Sequence, residues 1–143
     1  MRLATVLVLP LAAWMVLGQS PPLGPGPAVA GERIRPTVTA RLTGWVGRRD
    51  GFYLYRQGGT VRTVVNVWPN LRGERVRARL EWRRSSARWR LLDVSTTTLN
   101  RDGRALFLVR RLPEGFAFRI RARMPPTDEH RAGRSPWHYF RVR

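Results

Sequence analysis

Residues 75 to 82 alternate strictly, with Arg75, Arg77, Arg79 and Glu81 on one side of an extended chain and Val76, Ala78, Leu80 and Trp82 on the other. This is the period-two signature of a strand buried on one face. Residues 116 to 124 repeat it, with Phe116, Phe118, Ile120, Ala122 and Met124 as the apolar set and Ala117, Arg119, Arg121 and Arg123 as the opposite one. Five further runs read as strands, 37–46, 60–68, 88–97, 104–111 and 137–142, with 52–56 as a short extra one. Turn signals separate them: Asp50-Gly51, Gly58-Gly59, Asn70 with Gly73, Asp102-Gly103, Pro113 with Gly115, and Pro125-Pro126; Gly, Asn and Asp supply the backbone angles that tight turns need. No segment sustains an apolar i, i+3, i+4 pattern. The expectation is an all-β fold, a single antiparallel β-sandwich of about seven strands.

The first thirty residues break this pattern. Met1-Arg2 is a short positive start, Leu3 to Leu17 is apolar apart from Thr5, and Ala28-Val29-Ala30 places small residues as a signal peptidase requires. The apolar run contains Pro10 and falls short of the roughly 20 residues that span a bilayer as a helix. Residues 1–30 are therefore read as a secretory signal peptide cleaved after Ala30, with retention as an anchor the other possibility, and residues 31–143 as the β-sandwich domain. No Cys follows the apolar run, indeed the chain has 0 Cys, which removes lipoprotein anchoring and leaves a secreted or cell-envelope domain to be held by its core alone.

Composition adds charge to this picture. The chain of 143 residues carries 27 basic against 9 acidic residues, a formal balance of +18. Every basic residue is Arg, and Ile occurs only at Ile34 and Ile120, the bias of a high-GC genome, so codon usage supplies part of the charge. Six Trp, 5 Phe and 3 Tyr give enough apolar area to order the chain, and Arg, being planar and weakly hydrated, packs on such rings as Lys does not.

From Val64 onward several pieces line up in order: Val65-Asn66-Val67-Trp68-Pro69, the run Gly73 to Leu80, Trp89-Arg90, the turn Asn100 to Arg104, the run Pro113 to Ala122, and Gly133-Arg134-Ser135-Pro136 before a final strand. In this the chain resembles the secreted immunoglobulin-like or fibronectin type III-like modules of high-GC Gram-positive bacteria. The resemblance implies an immunoglobulin-like β-sandwich, and a task such as stalk, spacer or adhesion module without enzymatic activity. This chain carries one such module and no second recognisable one, which leaves a stand-alone binding role open.

Candidate chemistry is sparse. There is no Cys, no Gly-x-Ser-x-Gly, and only His130 and His138, so the parts of a nucleophilic site are missing. Asp128, Glu129 and His130 form the one acidic cluster, read as a solvated loop in preference to a metal or acid–base site, and His138 is read as a core or rim residue. No motif calls for a cofactor or metal. What remains is an Arg and aromatic pattern. In a fibronectin type III-like sandwich the third and sixth strands are neighbours and the seventh lies beside the sixth. That placement puts Arg75, Arg77 and Arg79 beside Arg119, Arg121 and Arg123 on the outer face, where like charges repel, and brings Trp137, Tyr139 and Arg141 of the final strand to the same face. Guanidinium groups stacking on Trp137 and Tyr139 resemble the Arg and Trp ladder that cytokine-receptor modules of this fold carry beside a similar Ser-containing motif. Two readings stay open: a self-satisfied structural ladder, or a surface that binds an anionic polymer such as teichoic acid or an acidic polysaccharide. A nucleic-acid binder would use the same charge, but the export signal and the lack of a recognition signature make nucleic acid the less expected partner.

Overall fold

The computed structural model describes residues 31–143, so the signal-peptide reading of residues 1–30 lies outside the described residues. The described chain is all-β, with ten strands: β1 (Thr37–Thr43), β2 (Gly47–Arg49), β3 (Phe52–Tyr55), β4 (Val61–Trp68), β5 (Arg75–Arg83), β6 (Arg90–Thr98), β7 (Arg104–Val109), β8 (Ala117–Met124), β9 (Gly133–Arg134) and β10 (His138–Val142). They form two open sheets, compatible with a β-sandwich. One is three-stranded in the order β1-β4-β7, and the other runs β2-β3-β10-β8-β5-β6 with β9 added beside β8.

Two expectations need correction. The run 37–46 is not one strand. Gly44 adopts φ 83° and ends β1, after which Asp50 and Gly51 turn the chain at φ 50° and 79°, the paired positive φ values of a tight hairpin turn, so β2 folds back on β3. Nor is the sandwich purely antiparallel. β3 lies parallel to β10, with Tyr53 opposite Phe140 and Tyr55 opposite Val142, which makes the larger sheet mixed.

The inner faces of both sheets meet in one core. Val38 and Leu42 from β1, Val61, Val65 and Val67 from β4, and Phe107 from β7 pack with Val76, Ala78 and Leu80 from β5, Phe118, Ile120, Ala122 and Met124 from β8, and Phe140 from β10. These are the alternate residues of each strand, since successive side chains point to opposite sheet faces. Phe118 stacks on Phe140 at 5.3 Å and 17°, and Tyr55 meets Phe140 edge-on at 5.7 Å. Phe116 precedes β8, is only half-buried, and packs edge-on against Trp82 at 5.2 Å.

The strand β6 is the outer edge of the larger sheet and is exposed along nearly its whole length. Its register against β5 slips between Leu80 and Glu81, and Asp93 stands opposite the inward-facing Leu80, hydrogen-bonded by Ser95 Oγ at 2.8 Å. A bulge and an inward charge are two devices that keep an open edge from pairing with another chain.

A candidate anion-binding face

The outer face of the larger sheet is set by the register of β5, β8 and β10. Across β5 and β8, Arg77 stands opposite Arg123, Arg79 opposite Arg121, and Glu81 opposite Arg119. Arg75 lies one step beyond this ladder and pairs with Thr98 of β6. On the other side of β8, Tyr139 stands opposite Arg119 and Arg141 opposite Ala117, while Trp137 immediately precedes β10. The nine residues singled out in the sequence therefore share one face or its margin.

Neighbouring guanidinium groups repel, and two features offset this. Glu81, 5% exposed, accepts from Arg79 Nε through Oε1 at 2.6 Å and from Arg119 Nε through Oε2 at 2.7 Å. Burial alone would raise its pKa, but the hydrogen bonds from Arg79 and Arg119 and their charges outweigh this and hold the carboxyl below the usual range. The second feature is stacking. Arg119 lies over Trp137 at 4.2 Å and over Trp89 at 4.7 Å, Arg121 lies over Trp137 at 4.3 Å, and Arg83 covers Trp89 at 4.5 Å. Each such contact contributes on the order of 0.5–1 kcal/mol where exposed. The result is an alternating ladder, Arg83, Trp89, Arg119, Trp137, Arg121.

Tyr139 differs from expectation. Among the described residues no guanidinium sits over its ring; it packs against Trp89 at 5.8 Å and edge-on to Phe52 at 5.9 Å, and Arg141 covers Phe52 at 4.1 Å. The chain leading into Trp137 is pinned by Ser135, whose buried Oγ accepts from the backbone N–H of Ala122 at 3.0 Å and donates to the Pro136 carbonyl at 2.9 Å. The Ser thus fixes the approach of Trp137 to β8.

Trp89, Phe52, Arg83 and the counter-ion role of Glu81 were not foreseen. Only Glu81 carried a sequence signal, as the lone acid in a run of alternating arginines. The Asp128-Glu129-His130 segment also departs from the solvated-loop reading. Asp128 and Glu129 are exposed, but His130 is 1% exposed, bridges to Ile34, and holds Nδ1 3.0 Å from the Arg131 carbonyl. His138 is half-buried, and burial pushes its pKa down. Among the described residues no group of three or more His, Cys, Asp or Glu is placed to hold a metal ion. No protein-family model and no curated protein matches the chain.

Proposed function

We propose that the chain is an exported, non-enzymatic immunoglobulin-like module of the cell envelope or medium that binds anionic surface polymers through its Arg and aromatic sheet face. The strand order supports the fibronectin type III-like reading. With the β2–β3 hairpin and the two-residue β9 set aside, β5, β8 and β10 are the third, sixth and seventh principal strands, and they are adjacent in that order. The observation that carries the binding role is a charge imbalance: Glu81 is the one acid in β5, β8 and β10, and both of its oxygens are engaged. Arg75, Arg77 and Arg123 of the same face are exposed and, among the described residues, have no carboxylate within salt-bridge reach. A polyanion gains from such a row by releasing its counterions.

The test changes Arg75→Gln and Arg77→Gln together, since neither side chain stacks in the ladder. Affinity for teichoic-type polymer and heparin is expected to fall, and its dependence on salt to become shallower. Thermal stability should hold or rise slightly as repulsion is relieved. Unchanged binding across the salt series defeats the polymer reading and leaves a structural ladder. Export is tested by fractionation, with an N-terminal sequence of Gly-Glu-Arg-Ile in the medium or wall as the expected result and intact Met1 in the membrane as the contrary one.

A further inference from the structure

Beside the ladder, where β8 and β9 meet the segment leading into β1, lies an open cleft of about 500 Å³ lined by Arg35, Arg121, Arg123 and Arg134, with Pro36 and Gly133 among its walls. That volume falls in the range of small-ligand sites. Its shape depends on a close backbone approach: a Cβ added to Gly133 would meet the Pro36 carbonyl oxygen at 2.6 Å and Val38 Cγ2 at 2.9 Å, so only glycine lets the Arg35 segment lie against β9. Arg134 stands opposite Arg123 in the β8–β9 pair. Arg121 reaches the cleft from the ladder, its guanidinium held over Trp137 at 4.3 Å.

Among the described residues none that lines the cleft is acidic. Burial, Arg134, Arg79 and Arg119 all push Arg121 toward losing its proton, and Glu81 alone opposes them; that carboxylate is already shared between Arg79 and Arg119. Four guanidinium groups line the cleft from three chain segments, the stretch before β1, β8 and β9, so a seated anion can be met from more than one side. A carboxylate presents two oxygens in one plane and is filled by one or two such forks, whereas a tetrahedral oxyanion offers oxygens in several directions.

We propose that the Arg35, Arg121, Arg123 and Arg134 cleft seats a tetrahedral oxyanion ester, phosphate or sulfate, borne by the anionic polymer. The inference rests on the polymer-binding reading above and names the group recognised there. Arg121, fixed by Trp137, is the preset donor, and the three exposed arginines close on the ester around it.

The experiment measures binding of three polymers at one ionic strength: poly(glycerol phosphate), which carries phosphodiesters; dextran sulfate, which carries sulfate esters; and alginate, which carries carboxylates. The variant Arg35→Gln/Arg134→Gln is compared with Arg62→Gln/Arg104→Gln, an equal loss of charge in the strands β4 and β7 of the other sheet. For the first variant, affinity for the phosphate or the sulfate polymer is expected to drop about tenfold, and for alginate no more than about twofold. The control should lose no more than about twofold for any polymer. Loss confined to one ester polymer identifies which ester the cleft prefers. Equal losses in both variants, or an equal loss on alginate, overturn the cleft while leaving the polymer reading intact; failure of the parent protein to bind any of the three defeats the polymer reading itself. Should the double variant melt below the parent, the single changes Arg35→Gln and Arg123→Gln carry the same comparison.

Discussion

Glu81 and Arg119 meet across two strands, the Oε2 of one accepting from the Nε of the other at 2.7 Å while a second guanidinium nitrogen approaches to 2.6 Å. This two-point contact at the centre of the β5–β8 pair fixes the guanidinium that Trp89 and Trp137 sandwich.

Replacing Glu81 with Gln keeps the shape and removes the charge, leaving Arg79 and Arg119 without a counter-ion. Stability should fall by about 1–3 kcal/mol, and added salt should restore part of it by screening the arginines. Because the folded carboxyl is held below its ordinary value, the stability it contributes is complete above about pH 4.3, the ordinary glutamate value, and is lost as the pH falls through the folded value. Urea melts between pH 7 and pH 3 should show this acid limb in the parent and a weaker one in Glu81→Gln. Identical limbs would show that Glu81 does not stabilise the face.

Phe118 is 1% exposed and lies flat against Phe140. Phe118→Ala should cost about 3–5 kcal/mol through lost burial and the cavity left behind. A variant that melts where the parent does would place the core elsewhere.

At Gly133 a single methyl is expected to matter. Gly133→Ala drives the new Cβ to 2.6 Å from the Pro36 carbonyl oxygen, a backbone atom that cannot swing aside as a long side chain would, and against Val38 Cγ2 as well, so the variant should be about 1–3 kcal/mol less stable. Hydrogen exchange should speed up in residues 34–38, and a parent-like exchange pattern there would show that the segment has room to move.

The fourth expectation concerns pH above the carboxylate range. His138 is half-buried, among the described residues its Nε2 has no hydrogen-bond partner, and burial keeps it neutral to lower pH than usual. The unfolded chain takes up this proton near pH 6.5, about the ordinary value, so acidification favours unfolding. The contribution is complete above about pH 6.5 and declines below it. Melting temperatures from pH 8 to pH 5 should decline more in the parent than in His138→Gln; equal slopes would mean that the ring is free to charge in place.

How far the sequence led can be read from particular residues. The alternation in 75–82 and 116–124 marked the inner faces of β5 and β8 and the residues that share the outer one, because a half-buried strand writes its orientation into every second position. The β2–β3 hairpin left a weaker trace: Gly47-Arg48-Arg49 has no apolar alternation, and its place is decided by β10, far along the chain. Trp89 entered the ladder from the turn between β5 and β6, and Arg35 entered the cleft from a segment next to β9 in space alone. Such meetings follow from which strand lies beside which, and local periodicity does not record that.

The parallel pairing of β3 with β10 has a kinetic consequence. Among the described residues β10 alone joins the β2–β3 hairpin to the rest of its sheet, and the partners Tyr53 and Phe140 lie more than eighty residues apart along the chain. Closing so long a loop is entropically slow. Folding of the larger sheet must therefore wait for residues 138–142, with β5, β6 and β8 able to assemble first and the hairpin captured only once β10 has docked on β8. A ribosome-bound chain stopped short of His138 would hold its hairpin unpaired, and its Phe118 would lack the ring it stacks on.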